Sequence, residues 1–234
     1  MARFTTTRWS IFLRARGASG DARIALDDLC RIYRAPVLAY IRSHGHAHDA
    51  EDLTQSFFIK FIDDALHAIA DPAQGRFRAF LLTALKRFLI KSNIERRTQK
   101  RGGLVEFKSL DQESDNAEFF AGDETPDQAF ERSWALSVLE AAVDRLRDEA
   151  HSGGKLELFE QLSPFLIERP DESDYVRIGE KFGLRANTVA VAVHRLRQRL
   201  RDLIRDELSQ TAATPEDLNA ELRELRSALV AVMS

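Results

Sequence analysis

The sequence has a single cysteine, Cys30, in 234 residues, so no disulfide can form within the chain. This excludes a disulfide-stapled secreted fold, and a lone thiol suits a reducing cytoplasm. No apolar run reaches the roughly 20 residues that a membrane-spanning helix requires. The opening stretch, MARFTTTRWSIFLRARG, lacks the small-residue cleavage site of a signal peptide. We therefore expect a cytoplasmic protein.

Glycine and proline are also scarce, with 11 and 6 residues, and they gather at a few breaks in the pattern. Between the breaks, apolar residues recur at spacings of three and four, which predicts amphipathic helices. No stretch of any length has the alternating pattern of a strand. We therefore predict an all-α fold of two helical domains joined by an acidic linker, the C-terminal one containing a helix-turn-helix.

The net charge of −3 conceals a strong segregation of charge along the chain. Residues 1–108 carry 19 Lys/Arg and 11 Asp/Glu, whereas residues 109–131 carry eight acids and no base. Residues 175–205 are basic again, with eight Lys/Arg and two Asp/Glu, and residues 206–234 are acidic. Two basic blocks separated by acidic stretches predict two surfaces for a polyanion.

The breaks and the charge pattern together predict the organisation of the chain. We expect a helical domain over 1–107, an acidic linker over 108–127, and a second helical domain over 128–208. Residues 209–234 form an amphipathic helical extension whose leucines share one face. That face either folds back on the helix-turn-helix or binds a partner, and we favour docking within the chain.

The segment YVRIGEKFGLRANTVAVAVHRL fits a helix-turn-helix. Gly183 permits the positive φ of a tight turn, and Gly179 supplies a small residue where the helices cross. The start of the second helix would enter a major groove, while later arginines would contact phosphates. The alternative is a helical hairpin with a solvated basic face. The candidate DNA-binding residues are the outward polar ones: Arg185, Asn187, Thr188, His194, Arg195 and Arg197.

The segment KRFLIKSNIERRTQKR carries seven Lys/Arg and one Glu. A solvated helix end also explains it, because cations suit the C-terminus of a helix dipole. The preceding turn places phenylalanines beside arginines, a platform for unstacked bases, although phenylalanines at this spacing also suit a core. The candidate DNA-binding residues are Arg76, Phe77, Arg78, Phe80, Lys86, Arg87, Lys91, Arg96, Arg97, Lys100 and Arg101.

The segment DAEDLTQSFFIKF places Asp49, Asp52 and Gln55 on one helix face, with Glu51 beside them. Acids in a first turn also suit the positive end of a helix. No partner for a paired-carboxylate active site is evident, so we predict no enzymatic activity and no cofactor. Histidines at 44, 46 and 48 leave a carboxylate–histidine metal hydrolase as an alternative, although they lack helical ligand spacing.

These features, in this order, resemble the extracytoplasmic-function (ECF) group of the sigma-70 family, the bacterial RNA polymerase specificity subunits. The resemblance covers roughly residues 5–208. Its most specific parts are DAEDLTQSFF and YVRIGEKFGL with TVAVAVHRLRQRLR. It implies the RNA polymerase core (β′ clamp helices and β flap) and promoter DNA as partners. It also implies that the polymerase-binding residues are Asp49, Glu51, Asp52 and Gln55.

The resemblance further implies that residues 71–101 recognise and melt the −10 element, while the helix-turn-helix reads the −35 element. The linker would thread toward the RNA exit channel. Two positions depart from the family pattern, since Arg87 replaces a frequent Asn and Ala190 replaces a basic or polar reader. The expected function is an ECF-type sigma factor that directs polymerase to promoters. The alternative is a stand-alone helix-turn-helix regulator of duplex operators, and an anti-sigma partner is left open.

Overall fold

The computed structural model describes residues 20–67, 76–100, 124–212 and 214–233. These residues form helices and no strand, which confirms the all-α prediction. None of the described helices is both long enough and apolar enough to cross a membrane. The helices are α1 (Gly20–Ser43), α2 (Ala50–His67), α3 (Phe77–Lys100), α4 (Pro126–Ser152), α5 (Leu156–Leu162), a 3₁₀ turn (Ser163–Leu166), α6 (Glu172–Phe182), α7 (Ala186–Ser209) and α8 (Pro215–Met233).

The described residues fall into two compact units. The first contains the residues up to 137 and those from 209 onward, and the second contains residues 138–208. The division lies within α4, whereas the sequence analysis placed it in the acidic linker, most of which is outside the described residues. The reason is that the start of α4 carries Phe130 and Trp134, which are fully buried in the first unit. Phe130 contacts the ring of Tyr40 in α1.

The core of the first unit is built from aromatic side chains of α1, α2 and α3. Phe57 and Phe61 of α2 lie on the face opposite the acids, as the pattern predicts, and both are buried. Phe61 and Tyr33 each contact the ring of Phe77 edge-on, with centroids 6.2 and 5.0 Å away. Such edge-to-face pairs add to the stabilisation from burying apolar area. Phe77 thereby joins the three helices at the start of α3.

The second unit places α6 against α7 through a three-residue turn. A capping box between Asp171 and Asp174 begins α6, and Gly183 ends it with φ of 66°. A side chain at Gly179 would put its Cβ 2.6 Å from the carbonyl oxygen of Leu184, closer than van der Waals contact allows. The predicted roles of Gly179 and Gly183 in the turn are therefore confirmed. The buried residues that join this pair to the preceding segment are Leu162, Phe165, Ile178, Val189 and Val193.

Helix α8 belongs to the first unit. The predicted N-cap is present, since the Thr214 hydroxyl accepts a hydrogen bond from the amide of Asp217. Leu225 is buried, whereas the other leucines of the predicted stripe are half-buried. The extension thus docks within the chain, but onto the first unit, because arginines at the start of α3 bind its glutamates. The expectation that named the helix-turn-helix as one docking site is corrected here.

Candidate nucleic-acid interfaces

The polar face of α7 is open to solvent. Arg185 lies in the turn before α7, and Asn187 and Thr188 lie in its first turn. His194 and Arg195 follow two turns later, and all five side chains are exposed. Residues spaced by three, four and seven share one face of a helix. The structure therefore brings these predicted residues together on a single surface.

Val191 lies on this same face and was missed by the sequence analysis. Its side chain is 42% exposed, whereas Val189 and Val193 are buried. It lies three residues after Thr188 and four before Arg195, so it is in the centre of the polar face. Helical phase along TVAVAVHR was the signal that separates it from its buried neighbours. A branched apolar side chain in such a place suits contact with a thymine methyl group.

Arg197 is used differently from the other arginines of α7. Its Nε donates to the carbonyl oxygen of Phe165 at 2.7 Å, and its Nη2 donates to that of Glu168 at 2.6 Å. The side chain is half-buried. Arg197 thus satisfies carbonyl groups at the end of the 3₁₀ turn, which helices leave without partners. From the sequence, Arg197 was predicted to bind DNA, because its contacts with residues 32 and 29 positions away have no local signal.

The basic part of α3 is open where it is described. Lys86, Arg87 and Lys91 are exposed, and Lys86 forms an ion pair with Asp127 at 2.8 Å. Phe80, six residues before Lys86, is 42% exposed, with its ring centroid 5.9 Å from that of Phe61. The remaining predicted residues lie outside the described side chains: Arg96, Arg97, Lys100 and Arg101.

The start of α3 departs from the expectation. Phe77 is 2% exposed, so it is a core residue and is closed to a nucleotide base in this structure. Arg78 is 5% exposed, and its guanidinium lies 4.0 Å from the centroid of the Trp134 ring. This is the distance of a strong cation–π contact. Of the aromatic platform predicted here, only Phe80 has an exposed ring among the described residues.

Carboxylates from α4 and α8 surround Arg78 and its neighbour. Arg78 donates through Nε to Glu221 at 3.0 Å and also pairs with Glu131 and Glu224. Arg76 pairs with Glu224, and its Nη1 lies 3.6 Å from Glu221. We call these five residues the arginine–glutamate cluster. It holds two cations and three carboxylates, and its centre is dry, since the Glu221 side chain is 4% exposed.

Electrostatics in the arginine–glutamate cluster reflect this burial. Desolvation lowers the pKa of the Arg78 guanidinium, and the nearby Glu221 carboxylate opposes that shift. Burial also raises the pKa of the Tyr33 hydroxyl, with a further contribution from Glu221. Oε1 of Glu221 is buried and accepts no hydrogen bond from the residues that the structure describes. Burying a carboxylate that lacks hydrogen-bond donors costs free energy. The buried carboxylate of Glu221 therefore reduces the net stabilisation that the arginine–glutamate cluster provides.

The predicted acidic residues form one exposed surface on α2. Asp49 precedes the helix, and Glu51, Asp52 and Gln55 follow it along one side. We call these four residues the acidic face. They are all exposed, whereas Thr54 is buried and its hydroxyl donates to the carbonyl oxygen of Ala50.

Two features of the acidic face were not predicted. Glu51 pairs with Arg34 at 2.6 Å and with Arg42 at 3.3 Å, both from α1. These arginines hold its carboxylate in place and offset its charge. Asp52 and Gln55 line a groove of about 350 Å³ beside Ile59, whose side chain is 56% exposed. The face therefore combines carboxylates with an accessible apolar residue.

The histidines before α2 do not assemble a metal site in the described structure. The rings of His44 and His46 stack with centroids 5.9 Å apart. Among the residues that the structure describes, no group of three or more His, Cys, Asp or Glu side chains is arranged to hold a metal ion. The metal-hydrolase alternative thus has no ligand set in that part of the chain.

The family model described as ECF sigma factor matches residues 24–167, more than half of the chain. The curated ECF RNA polymerase sigma factor SigE of Mycolicibacterium smegmatis is 32% identical over 182 residues. That alignment covers 78% of this chain and 60% of the relative, so the chain spans less than two thirds of the relative's length. No solved structure gives a significant match. The matched residues include both the acidic face and the two arginines of the arginine–glutamate cluster, and the chain belongs to the ECF sigma factor family.

Proposed function

We propose that this protein is a specificity subunit of RNA polymerase. It binds the polymerase core, directs it to specific promoters, and assists strand opening without catalytic residues of its own. The observation that carries this proposal is the exposed acidic face of α2, which lies inside the segment matched by the family model. The enzyme that it serves supplies the chemistry.

The acidic face has the properties of a docking surface for a basic helix. Complementary charge raises the association rate and fixes orientation, while an apolar residue at the centre of an interface supplies affinity. Ile59 fills that second role beside the groove. Arg34 and Arg42 offset the charge of Glu51, so that carboxylate contributes less to the attraction for polymerase than its exposure alone suggests.

The open face of α7 is the proposed reader of a duplex −35 element. Asn187, Thr188 and Val191 occupy the first turns of α7, the part of a recognition helix that approaches base edges. Arg185 and Arg195 flank them and suit the phosphates on either side. Arg197 acts indirectly, because it holds the end of the 3₁₀ turn on which α7 packs.

The exposed part of α3 is the proposed site for the melted −10 element. Phe80 offers a ring on which a flipped base can stack, and Lys86, Arg87 and Lys91 follow it along the helix. Aromatic rings combined with a track of cations are the usual means of binding a single strand. The remaining basic residues, up to Arg101, extend this track in sequence.

Charge reversal on the acidic face tests the proposal. We expect Asp49→Lys/Asp52→Lys to weaken capture of the core polymerase of the same bacterium about tenfold or more. Run-off transcription from genomic fragments should fall in parallel. The matched control is Glu140→Lys/Asp144→Lys, which reverses two exposed charges on α4 in the second unit.

Two results would contradict the proposal. One is run-off transcription that the acidic-face variant supports as well as the wild-type protein does. The other is tight, salt-dependent binding of the wild-type protein to a duplex operator without polymerase, which is the behaviour of a stand-alone regulator.

A further inference from the structure

Helix α8 covers two cations of this chain, Arg76 and Arg78, through Glu221 and Glu224. Arg76 and Arg78 lie at the start of α3, and the backbone amide of Phe80 donates to the carbonyl oxygen of Arg76. The covered arginines and the exposed ring therefore belong to the same helical turn. We propose that α8 and a single DNA strand compete for Arg76 and Arg78, with Glu221 and Glu224 of α8 occupying the places of two phosphates. This inference rests on the proposed function only in naming the promoter strand as the competitor.

The chemistry of the two occupants is the same. A guanidinium binds a carboxylate and a phosphate through the same fork of N–H donors, and both contacts are charge-assisted. Arg78 already donates to Glu221 and pairs with Glu224, while Arg76 pairs with both. The guanidinium groups of Arg76 and Arg78 can therefore bind the phosphates of a DNA strand that reaches the start of α3. Those phosphates compete with the carboxylates of Glu221 and Glu224.

The charge count of the arginine–glutamate cluster depends on α8. With α8 docked, two guanidinium groups face three carboxylates, so the cluster repels a polyanion. Without α8, Glu131 of α4 is the sole carboxylate of the cluster that is left, and the two arginines outnumber it. Departure of α8 therefore changes the net charge of the cluster from negative to positive. It also extends the basic surface of α3 toward the N-terminus of that helix.

The packing of α8 is suited to release. Leu225 is the buried apolar residue of the described part of α8, and Val230 is 64% exposed. A groove of about 630 Å³ runs between α8 and the start of α4, with Ser227, Ala228 and Ala231 on its α8 side. The leucines at 218, 222 and 229 are only half-buried, so the apolar contribution to the docking of α8 is modest. Buried ion pairs add little net stabilisation, because desolvation offsets their attraction.

A binding measurement on the full-length protein without polymerase tests the competition. The probe is a fluorescently labelled single-stranded DNA of 15 nucleotides and mixed sequence, followed by anisotropy (length chosen to span roughly one single-strand site). We expect Glu221→Gln/Glu224→Gln to bind this DNA about tenfold more tightly than wild type. The salt dependence should also steepen, because two more phosphates are neutralised.

The control variant removes the same formal charge elsewhere. Glu140→Gln/Glu216→Gln changes two exposed glutamates, one on α4 and one in the first turn of α8 outside the arginine–glutamate cluster. It should change the DNA affinity less than twofold. Equal gains in the two double variants would show a general charge effect and would overturn the proposal.

Hydrogen exchange on the wild-type protein gives a second test that does not depend on the stability of a variant. Adding the single-stranded DNA should speed exchange of the α8 backbone amides, because bound DNA displaces the helix. Unchanged or slower exchange in α8 at saturating DNA would overturn the competition. Neither measurement involves polymerase, so a failure here leaves the acidic-face experiment intact, and the reverse also holds.

Discussion

The two basic regions of this chain look alike in sequence and differ in structure. Arg195 and Arg185 stand open on the face of α7, while Arg78 is 5% exposed and bound by glutamates. The decisive partner of Arg78, Glu221, lies 143 residues away along the chain. Whether an arginine meets solvent or a carboxylate is thus decided by which distant helix docks over it. The local density of Lys and Arg in the sequence predicts a basic surface, but it does not predict whether another helix covers that surface.

The same contrast recurs within α7 on a smaller scale. Arg195 is open, Arg197 donates to backbone carbonyls, and Arg199 forms a two-point contact with Glu149 at 2.9 and 2.6 Å. Arg197 points to the opposite side of the helix from Arg195 and Arg199, whereas those two share a side and differ because Glu149 lies within reach of Arg199. Substituting covered and open arginines in turn tests this division.

The largest expected effect is on the stability of the first unit. Arg78→Ala leaves the buried carboxylate of Glu221 without its main partner. This should lower the free energy of unfolding by about 3 kcal/mol. Arg195→Ala removes an exposed side chain and should cost less than about 0.5 kcal/mol. Urea unfolding followed by Trp134 fluorescence in a Trp9→Phe background reports on the first unit directly, since Trp134 touches Arg78. Equal losses of unfolding free energy in the two variants would contradict the distinction between covered and open arginines.

The next prediction concerns the turn between α6 and α7, which positions the exposed face of α7. Gly179→Ala should destabilise the second unit by about 1–3 kcal/mol, because its Cβ would lie 2.6 Å from a backbone oxygen that cannot easily move. Gly183→Ala meets no atom within 4 Å but must adopt φ of 66°, so we expect about 1–2 kcal/mol. Thermal unfolding of both variants is the measurement. A Gly179→Ala protein as stable as wild type would mean that α6 and α7 do not cross so closely.

The arginines of α7 provide a smaller test with two readouts. Arg197→Ala should lower the free energy of unfolding by about 1.5 kcal/mol, because two carbonyl groups lose a charged donor. Arg195→Ala should leave stability unchanged and weaken binding of promoter duplex by the polymerase complex. Urea unfolding and a gel-shift titration separate the two roles. Interchanged results for the two variants would refute the assignment.

The smallest effect concerns the exposed pair of Glu149 and Arg199. Hydrogen bonds from Arg199 lower the pKa of Glu149 below its ordinary value of 4.5. A depressed pKa in the folded state contributes stability above 4.5 that disappears as the pH falls through the lower folded value. Because both side chains are more than a third exposed, the contribution is about 0.5 kcal/mol.

The variant Glu149→Gln measures this contribution. It should be less stable than wild type at pH 7, and the difference should be smaller at pH 3, with Glu140→Gln as the control. A stability difference that stays constant between the two pH values would show that the pair's ionisation is irrelevant.

Much of the fold was readable from the sequence because the signals are local. Helix periodicity, the Gly179–Gly183 turn, the Thr214 cap and the exposed acids of α2 each depend on residues within about one or two turns. The acidic face was found for this reason. Its groove and exposed Ile59 were not, because they require knowing which apolar residues the core leaves uncovered.

What could not be read from the sequence were contacts between distant segments. Nothing near Arg78 or Phe77 signals that one will be covered by α8 and the other enclosed by α1 and α2. Arg197 likewise found its acceptors 32 and 29 residues away. Val191 was not named among the candidate residues because it is apolar, although helical phase places its side chain in solvent.

We propose that this protein gives polymerase its access to promoter DNA. Permanganate reactivity of thymines on a promoter fragment found by run-off transcription measures strand opening directly. We expect reactive thymines at the −10 element only when core polymerase and the wild-type protein are both present, and we expect Asp49→Lys/Asp52→Lys to abolish that reactivity. Thymines that stay unreactive with both components present, or that open with the acidic-face variant as readily as with wild type, would contradict it.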